Sequence, residues 1–381
     1  MEDRPFLPFH RPTVYDHHVQ AVEKALRSGW LTSAARVDEF ERSFAARVGA
    51  RYAVAVNSCT AALHLAMVSL GVGPGSEVVT SPVTFVSAVN VIEQAGAVPV
   101  FADVLPDDLT IDPESVRRRI SPRTKLIVAT HFAGFPAHMD ELKQVVGERG
   151  IPILTDAAHG IETVYRDCPS GQLGRAACYS FYATKNITTG EGGMLVTDDA
   201  DLASRARTLR LHGMTEGAWN RYGLDGYRHW DVEELGWKYN MSDLQAALGL
   251  AQLEDMDSWL GKRVMLSNAY REYLDKRLLK LVEPGEERGT RWARHLLVVR
   301  VPDRDRVMDR MQKRGVGIGV HFKAVHRLSY YRKRYPALEG TLPEAERASD
   351  EVLSLPLYPS MEISDVYRVL KALHAVLVES P

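Results

Sequence analysis

Residues 52–81 read YAVAVNSCTAALHLAMVSLGVGPGSEVVTS, and this stretch contains the pattern that decides the fold. A short valine-rich run, YAVAV at 52–56, precedes an apolar helical run from Thr60 to Leu70 that Gly71 closes. A second short run, EVVTS at 77–81, follows. A strand, a helix and a strand in this order form a βαβ unit, which predicts two parallel strands of one sheet.

The same alternation continues along the chain and extends the predicted sheet. Helical patterns separate the next short apolar runs, which are VPVFAD at 98–103, KLIVATH at 125–131 and IPILTD at 151–156. Two further predicted strands, CYSFYA at 178–183 and GMLVTD at 193–198, follow with no helix between them. The pattern predicts an α/β protein whose mostly parallel sheet is covered by helices on both faces.

The rhythm changes after about residue 200, where helical patterns dominate. One of them covers residues 242–279, and a strand, LLVVRV at 296–301, is followed by helical patterns at 304–314 and 364–377. We therefore expect a large domain over residues 1–250, including the N-terminal segment, and a smaller α+β domain over residues 251–381. The boundary is expected inside one long helix.

Composition limits the class of protein more than its function. The 381 residues are 45% hydrophobic and 25% charged, which is ordinary for a soluble protein. The formal net charge of −2 provides no basic field for nucleic acid or an acidic membrane, so neither partner is expected. Three cysteines without metal-ligand spacing indicate a reducing compartment, and we expect a cytoplasmic enzyme.

Polar residues stand where three predicted strands end, which is where open α/β sheets bind ligands. They are Ser58 to Thr60 after YAVAV, Asp156 after IPILT, and Lys185 after CYSFYAT. Each alone is weak evidence, because most lysines are solvated and most such aspartates cap a helix. The turn GEGG at 190–193 strengthens the case, because its glycines permit close backbone approach and positive φ.

With these motifs the sequence is identified as a member of the DegT/DnrJ/StrS family of sugar aminotransferases, which are fold-type I enzymes of pyridoxal 5′-phosphate (PLP). The matching segments span nearly the whole chain: SGWLTS at 28–33, NSCTAALHLA at 57–66, TFVSAVN at 84–90, DAAHG at 156–160, SFYATKNITTGEGG at 180–193, KYNMSDLQAALGLAQL at 238–253 and VHFKAVHRLSYYRKRYP at 320–336. Within the family, DAAH, KYN and HFKAVH are most similar to the nucleotide-sugar C-4 aminotransferases of the aminoarabinose lipid A type. The resemblance implies amino transfer from an amino acid, L-glutamate, to a nucleotide-linked keto sugar at C-4.

The resemblance also implies roles at the cofactor. Lys185 would carry PLP as a Schiff base and then act as general acid and base, with pyridoxamine phosphate as the aminated form. Asp156 would pair with the pyridine nitrogen, whose proton makes the ring an electron sink. The ring of Phe85 would stack on the cofactor, and His159 would lie near its O3′ oxygen.

The phosphate of the cofactor requires amide and hydroxyl donors at a helix N-terminus. The resemblance assigns this task to Ser58, Cys59 and Thr60, with Ser180 completing the site. Cys59 departs from a common family form that has glycine there, but its backbone N–H is retained. A nucleophilic role for this thiol is disfavoured because no base motif accompanies it.

Further contacts follow from the same resemblance. Asn240 would reach the phosphate of a neighbouring subunit, which implies a homodimer with shared active sites. The implied substrate contacts are Thr32, His321, Lys323 and His326, with Lys323 offering a cation to a diphosphate. His321 and His326 lack a third ligand at useful spacing, so no metal is expected.

Three alternatives remain open from the sequence. Amination at C-3, or of a keto-inositol, would use the same motifs. A PLP-dependent sugar dehydratase is disfavoured, because relatives of that kind carry histidine where this chain has Lys185. A cofactor-binding regulatory protein usually carries an added DNA-binding domain, whereas the two predicted domains account for all 381 residues.

Overall fold

A computed structural model of the chain describes residues 5–147, 149–214, 230–285 and 287–378. The α-helices in these ranges are α1 (Asp16–Ser28), α2 (Ala35–Val48), α3 (Cys59–Ser69), α4 (Ser87–Gln94), α5 (Pro113–Arg119), α6 (Met139–Gly147), α7 (Ala200–Leu209), α8 (Asp243–Tyr273), α9 (Arg304–Lys313), α10 (Ser329–Arg334), α11 (Pro343–Glu351) and α12 (Ile363–Val378). The strands are β1 (Tyr52–Val56), β2 (Glu77–Thr80), β3 (Val98–Phe101), β4 (Thr124–Thr130), β5 (Ile153–Asp156), β6 (Val164–Tyr165), β7 (Cys168–Pro169), β8 (Ala176–Ser180), β9 (Gly193–Thr197), β10 (Lys280–Val282), β11 (Leu297–Arg300) and β12 (Val352–Leu355).

The seven-stranded sheet has the order β1-β9-β8-β5-β4-β2-β3. Its strands are parallel except β9, which runs antiparallel to both β1 and β8. The predicted mostly parallel α/β sheet is thereby confirmed. The antiparallel β9 agrees with its connection to β8, which contains no helix, because parallel neighbours are usually joined by a helical crossover.

Two predicted boundaries differ from the structure near the sheet's carboxyl edge. Strand β8 ends at Ser180 rather than at Ala183, since Ser180 is the last residue paired with β9. Helix α4 begins at Ser87 rather than at Thr84, because residues 82–86 form a turn in which Ser81 Oγ accepts the N–H of Val83 at 3.0 Å. Each of these two stretches carries one exposed aromatic side chain, Tyr182 after β8 and Phe85 before α4.

A second sheet, β10-β11-β12, is antiparallel and lies beside the 31-residue helix α8, which also contacts α1 and α2. Helix α8 ends at Tyr273, six residues before the predicted end at 279. Leu7 of the N-terminal segment packs in the core of this second sheet, and its N–H donates to the carbonyl of Gly315 at 2.9 Å. The division into domains 1–250 and 251–381 stays a prediction.

Aromatic packing holds β8 in place behind the sheet edge. Phe44 of α2 lies edge-on to Tyr179 at 5.0 Å and to Phe181 at 5.3 Å, and all three side chains are buried. Such pairs add roughly 0.5–1.5 kcal/mol each beyond the area they bury. This packing fixes the end of β8, from which the chain turns toward Lys185. Within the described ranges, no helix combines the length and apolar composition that crossing a bilayer demands.

Candidate active site

A deep cleft with about 1340 Å³ of space between its walls opens at the carboxyl edge of the large sheet. Its walls bring together eight of the residues predicted for the cofactor: Ser58, Cys59, Thr60, Phe85, Asp156, His159, Ser180 and Lys185. The cleft also includes His321, which the resemblance implied as a substrate contact. These residues follow different strands and meet because parallel strands end at one edge.

One end of the cleft offers hydrogen-bond donors to an anion. Ser58 is the N-cap of α3, and its Oγ accepts the N–H of Ala61 at 3.1 Å. The first N–H groups of a helix have no partner within it, and those of α3 begin at Cys59. The hydroxyl-bearing residues Thr60 and Ser180 line the cleft beside them. This end therefore has the donors that a phosphate group requires.

The GEGG turn lies in close contact with the start of α3, in agreement with the close backbone approach predicted from its glycines. A Cβ on Gly193 would lie 2.5 Å from the backbone nitrogen of Cys59 and 2.5 Å from the carbonyl oxygen of Ser58. Gly190 adopts φ of +79°, which disfavours other residues. The glycines let β9 begin in direct contact with the donor end of the cleft.

The Cys59 side chain does not supply a nucleophile. Burial raises the pKa of its thiol well above the ordinary value, and the carboxylate of Asp156 raises it further. The thiol therefore stays protonated and unreactive near neutral pH. Its φ is not positive, so the backbone N–H at this position belongs to an ordinary helix start.

Asp156, the last residue of β5, presents a buried carboxyl to the cleft and is 4% exposed. Its Oδ1 accepts the N–H of Ala158 at 3.1 Å. Burial raises the pKa of the carboxyl, while this hydrogen bond and the charge of Lys185 oppose the rise. A buried carboxylate of this kind is stabilised by a cationic partner, such as a protonated ring nitrogen.

Lys185 lies in the turn after β8, where its backbone N–H bonds the carbonyl of Tyr182 at 2.9 Å. Burial lowers the pKa of its amine to about 8, against the opposing charge of Asp156. The unprotonated amine is the form that attacks an aldehyde, so burial raises its reactive fraction near neutral pH.

The lowered pKa gives a testable pH dependence. In cofactor-free enzyme, the rate of covalent attachment of PLP should rise about tenfold per pH unit below pH 8 and level off above it, because the neutral amine then dominates. Stopped-flow absorbance between about pH 6 and 9.5 measures this rate across the expected midpoint. A rate that keeps rising through the upper end of that range would indicate an ordinary lysine instead.

Two histidines, His159 and His321, line the same cleft as Lys185. His159 is buried and stacks on Phe322 at 5.9 Å between ring centroids. His321 Nδ1 lies 2.9 Å from the hydroxyl of Ser354. Burial holds the pKa of His159 well below its usual range and lowers the pKa of His321 to about 3, with the charge of Lys185 adding to both effects. Both rings are therefore neutral hydrogen-bonding groups.

Phe85 presents an apolar ring to the cleft. Its side chain is 60% exposed, and its ring lies 6.2 Å from that of Phe322 on the facing wall. An exposed aromatic ring above a polar floor offers a stacking surface for a flat group. A residue that served only core packing would not be this exposed.

The remaining predicted residues do not line this cleft within the chain. Thr32 and Lys323 lie outside its walls, and Asn240 donates its side-chain N–H to Ser33 Oγ at 2.8 Å. His326 is 1% exposed and lies 3.4 Å from a carboxylate oxygen of Glu346, so this ring has no surface to offer a substrate. Of these two histidines, His321 is the one that lines the cleft.

Sequence reasoning missed several side chains of the cleft: Thr84, Ser87, Thr130, Tyr182, Thr184, Glu191, Val320 and Phe322. Most of them stand within one or two residues of a predicted site residue, so the same motifs could have pointed to them. Thr130 stands in none of the quoted motifs. The fold brings its hydroxyl within 3.1 Å of that of Thr84, which is 46 positions away in the sequence.

A possible metal cluster lies elsewhere in the described ranges. The ligand atoms of His17, His18 and Asp255 fall within 4.8 Å of one another. However, His18 Nδ1 accepts the N–H of Tyr15 at 3.0 Å, so Nε2 carries the ring proton and donates it to Asp255 at 2.8 Å. That proton stands where a metal ion would bind, and the cluster is a hydrogen-bonded contact between α1 and α8.

The cleft fits PLP by the chemistry of its donors. The helix start with its hydroxyls suits the phosphate, the buried Asp156 suits the pyridine nitrogen, and Lys185 supplies the amine. The Nδ1 atom of His159 is buried without a partner in the described chain, which leaves a hydrogen-bonding position for a bound group. The exposed ring of Phe85 completes the set.

Comparisons with known proteins agree with this geometry. The model of the DegT/DnrJ/EryC1/StrS aminotransferase family matches residues 12–374. The spore coat polysaccharide biosynthesis protein SpsC of Bacillus subtilis (strain 168) is 43% identical over 379 residues, covering 98% of this chain and 97% of SpsC.

Two solved structures share the fold. Spr1654 of Streptococcus pneumoniae, described as a sugar aminotransferase and solved in its PLP form, superposes with a TM-score of 0.91 at 28% identity, covering 98% of this chain and 99% of that one. PseC of Helicobacter pylori, an aminotransferase involved in the biosynthesis of pseudoaminic acid, gives a TM-score of 0.91 at 25% identity, covering 98% and 100%.

Proposed function

Because the chain belongs to the DegT/DnrJ/EryC1/StrS aminotransferase family, we propose that it transfers the amino group of L-glutamate to C-4 of a nucleotide-linked keto sugar. Membership makes the protein a PLP-dependent sugar aminotransferase. The amino donor, the nucleotide and the position on the sugar are the proposed part. The observation that carries the proposal is Lys185, a buried amine in one cleft with Asp156 and the donor end of α3.

Bound PLP supplies an electron sink that stabilises negative charge on the carbon bonded to the reacting nitrogen. The residues of the chain then have separate tasks. Ser58, Thr60 and Ser180 would bind the phosphate together with the N–H groups of α3. The carboxylate of Asp156 would pair with the protonated pyridine nitrogen, and Phe85 would offer its ring as a stacking surface.

Proton transfer is the task of Lys185. As a free amine, its Nζ atom has a pKa lowered by burial. Such an amine accepts a proton from the α-carbon of glutamate and delivers a proton to the sugar carbon in the second half-reaction. The neutral ring of His159, whose pKa burial holds low, donates or accepts a hydrogen bond beside it without adding positive charge.

The C-4 position and the nucleotide are supported by resemblance. The motifs DAAH, KYN and HFKAVH are most similar to C-4 enzymes that act on nucleotide sugars. A cytoplasmic location stays a prediction from composition.

We also propose that the working unit is a homodimer with shared sites. Thr32 accepts a hydrogen bond from the Asp243 N–H at 3.2 Å, so the segment before it lies beside the start of α8. That segment exposes Trp30 (66%) and Leu31 (46%), and a second copy would cover such apolar side chains. The resemblance assigns Asn240 to the phosphate of the other subunit's cofactor in such a dimer.

A substrate panel tests the proposed reaction. Glutamate should bleach the visible absorbance of the PLP-loaded enzyme, because amino transfer removes the bond to Lys185. A nucleotide-linked 4-keto sugar should restore the absorbance and yield an amine at C-4 by NMR, whereas the matched 3-keto nucleotide sugar and the free 4-keto sugar should react at least about 100-fold more slowly.

Each negative result has a separate meaning. An absorbance that saturating glutamate leaves unchanged would exclude glutamate as the donor. Amination of the 3-keto sugar alone would replace C-4 by C-3, and equal reaction of the free sugar would remove the nucleotide from the proposal.

A further inference from the structure

We propose that His295 is a positioning residue of this active site, which holds the ring of His159 and the loop of Lys185 in their working arrangement. The inference rests on the roles proposed above for those two residues. His295 stands just before β11 of the second sheet and is not part of the wall of the substrate cleft. It acts through the residues that it contacts.

The first contact fixes the proton on the His295 ring. Asn186, which follows Lys185 directly, donates its two amide hydrogens to Glu162 Oε2 at 2.6 Å and to the carbonyl of Ala293 at 3.0 Å. Its Oδ1 atom therefore accepts, and the partner at 2.9 Å, His295 Nδ1, must be the donor. The tautomer of His295 and the amide orientation of Asn186 thus determine each other.

The second contact is a stack. The rings of His295 and His159 lie 4.3 Å apart at 30°, and His159 in turn stacks on Phe322. His159 and Phe322 both line the cleft. The ring of His295 is therefore a buried surface on which the ring of His159 rests.

The ring of His295 is neutral near neutral pH. Burial holds its pKa well below the usual range, and nearby groups that can carry positive charge add to this: His159, Lys185, His321 and His10. The ring also borders two small cavities lined by Thr184, one of which Lys185 lines as well. With Nδ1 protonated, Nε2 is an acceptor on a neutral, polar ring close to the Lys185 cation.

The network is anchored on the opposite side by a buried ion pair. Glu162, which bonds Asn186, also pairs with Arg263 of α8, and the two side chains are 0% and 2% exposed. Glu162 follows His159 by three residues in the loop after β5. His295 therefore joins the loop of His159, the loop of Lys185 and helix α8 to the second sheet, and its loss would leave the Oδ1 of half-buried Asn186 without this partner.

The test compares His295→Phe and His295→Gln with the parent holoenzyme. Phenylalanine keeps an aromatic ring against His159 but has no donor for Asn186 and no polar atom near Lys185. The pH midpoint of the visible absorbance of the resting enzyme should fall by at least about 0.5 unit, since a less polar surrounding disfavours the cation. The kcat should fall about 10-fold while KM for the keto sugar stays within about 2-fold.

Glutamine has an N–H that can bond Asn186 Oδ1, and it should recover part of the midpoint shift. His18→Phe is the matched control, because His18 is a fully buried histidine bonded to Asp255 and lies outside the cleft. It should change neither the midpoint nor kcat, whatever it does to stability.

The outcomes separate this inference from the proposed function. A folded His295→Phe enzyme with the parental midpoint and kcat would overturn the positioning role alone, as would an equal shift in His18→Phe. A parent enzyme with no visible absorbance after PLP loading would overturn the proposed function and this inference together.

Discussion

The Lys185→Ala variant is expected to lose amino transfer by at least about 10³-fold, because one side chain supplies both the cofactor linkage and the proton relay. Asp156 and the donor end of α3 remain in this variant, so PLP should still bind, although without the absorbance of the lysine-bound form. The measurement is the rate of glutamate consumption together with the visible spectrum. Retention of more than about a tenth of parental activity would exclude Lys185 from the chemistry.

Two further variants provide a control for this experiment and a test of the shared sites. Lys371→Ala removes an exposed lysine of α12 and should leave both readouts unchanged. Asn240→Ala should lower activity on its own if that side chain serves the other subunit. Mixing the Lys185→Ala and Asn240→Ala proteins after dissociation should then restore about a quarter of parental activity, because half of the dimers are mixed and each has one intact site. No gain on mixing would contradict shared sites.

The Gly193→Ala variant is expected to weaken PLP binding at least about 100-fold and to destabilise the fold by roughly 1–3 kcal/mol. Its Cβ would lie 2.5 Å from the backbone nitrogen of Cys59, and backbone cannot rotate aside as a side chain does. Either β9 or the start of α3 must shift, which misplaces the N–H groups that bind phosphate. Cofactor titration and thermal unfolding measure the two effects.

Gly261→Ala is the matched control for this substitution. A Cβ at Gly261 of α8 would meet no atom within 4 Å beyond the backbone of its own helix. Alanine there should raise stability by up to about 1 kcal/mol, because it is the better helix former, and should leave PLP affinity unchanged. Parental PLP affinity in Gly193→Ala would show that the glycine turn does not position the phosphate site.

Much of the fold was predictable because its signals are local. YAVAV, EVVTS and IPILTD are short apolar runs separated by helical patterns, and each became a strand of the large sheet. Because parallel strands end at one edge, Ser58, Asp156 and Lys185 could be expected at one site, and the structure places all three in the cleft. The predicted start of α4 at residue 84 and the predicted end of β8 at residue 183 were wrong, because turns set these two boundaries and periodicity does not detect turns.

Other parts of the site could not be predicted from local pattern. His321 and His326 are five residues apart in one motif, yet the first lines the cleft and the second is enclosed beside Glu346. Nothing in the spacing distinguishes them, because the difference lies in which part of the chain covers each ring.

The sequence by itself determined the alternation of strands and helices, the polar residues at the strand ends and the glycines of the turn, since these depend on periodicity and on backbone freedom within a few residues. Only the tertiary structure decided the lowered pKa of Lys185, the contact of Gly193 with Cys59 and the place of His295 behind His159. The physical reason is that burial and close contact arise between segments far apart in the chain: His159 and His295 are 136 positions apart in the sequence and 4.3 Å apart in the fold.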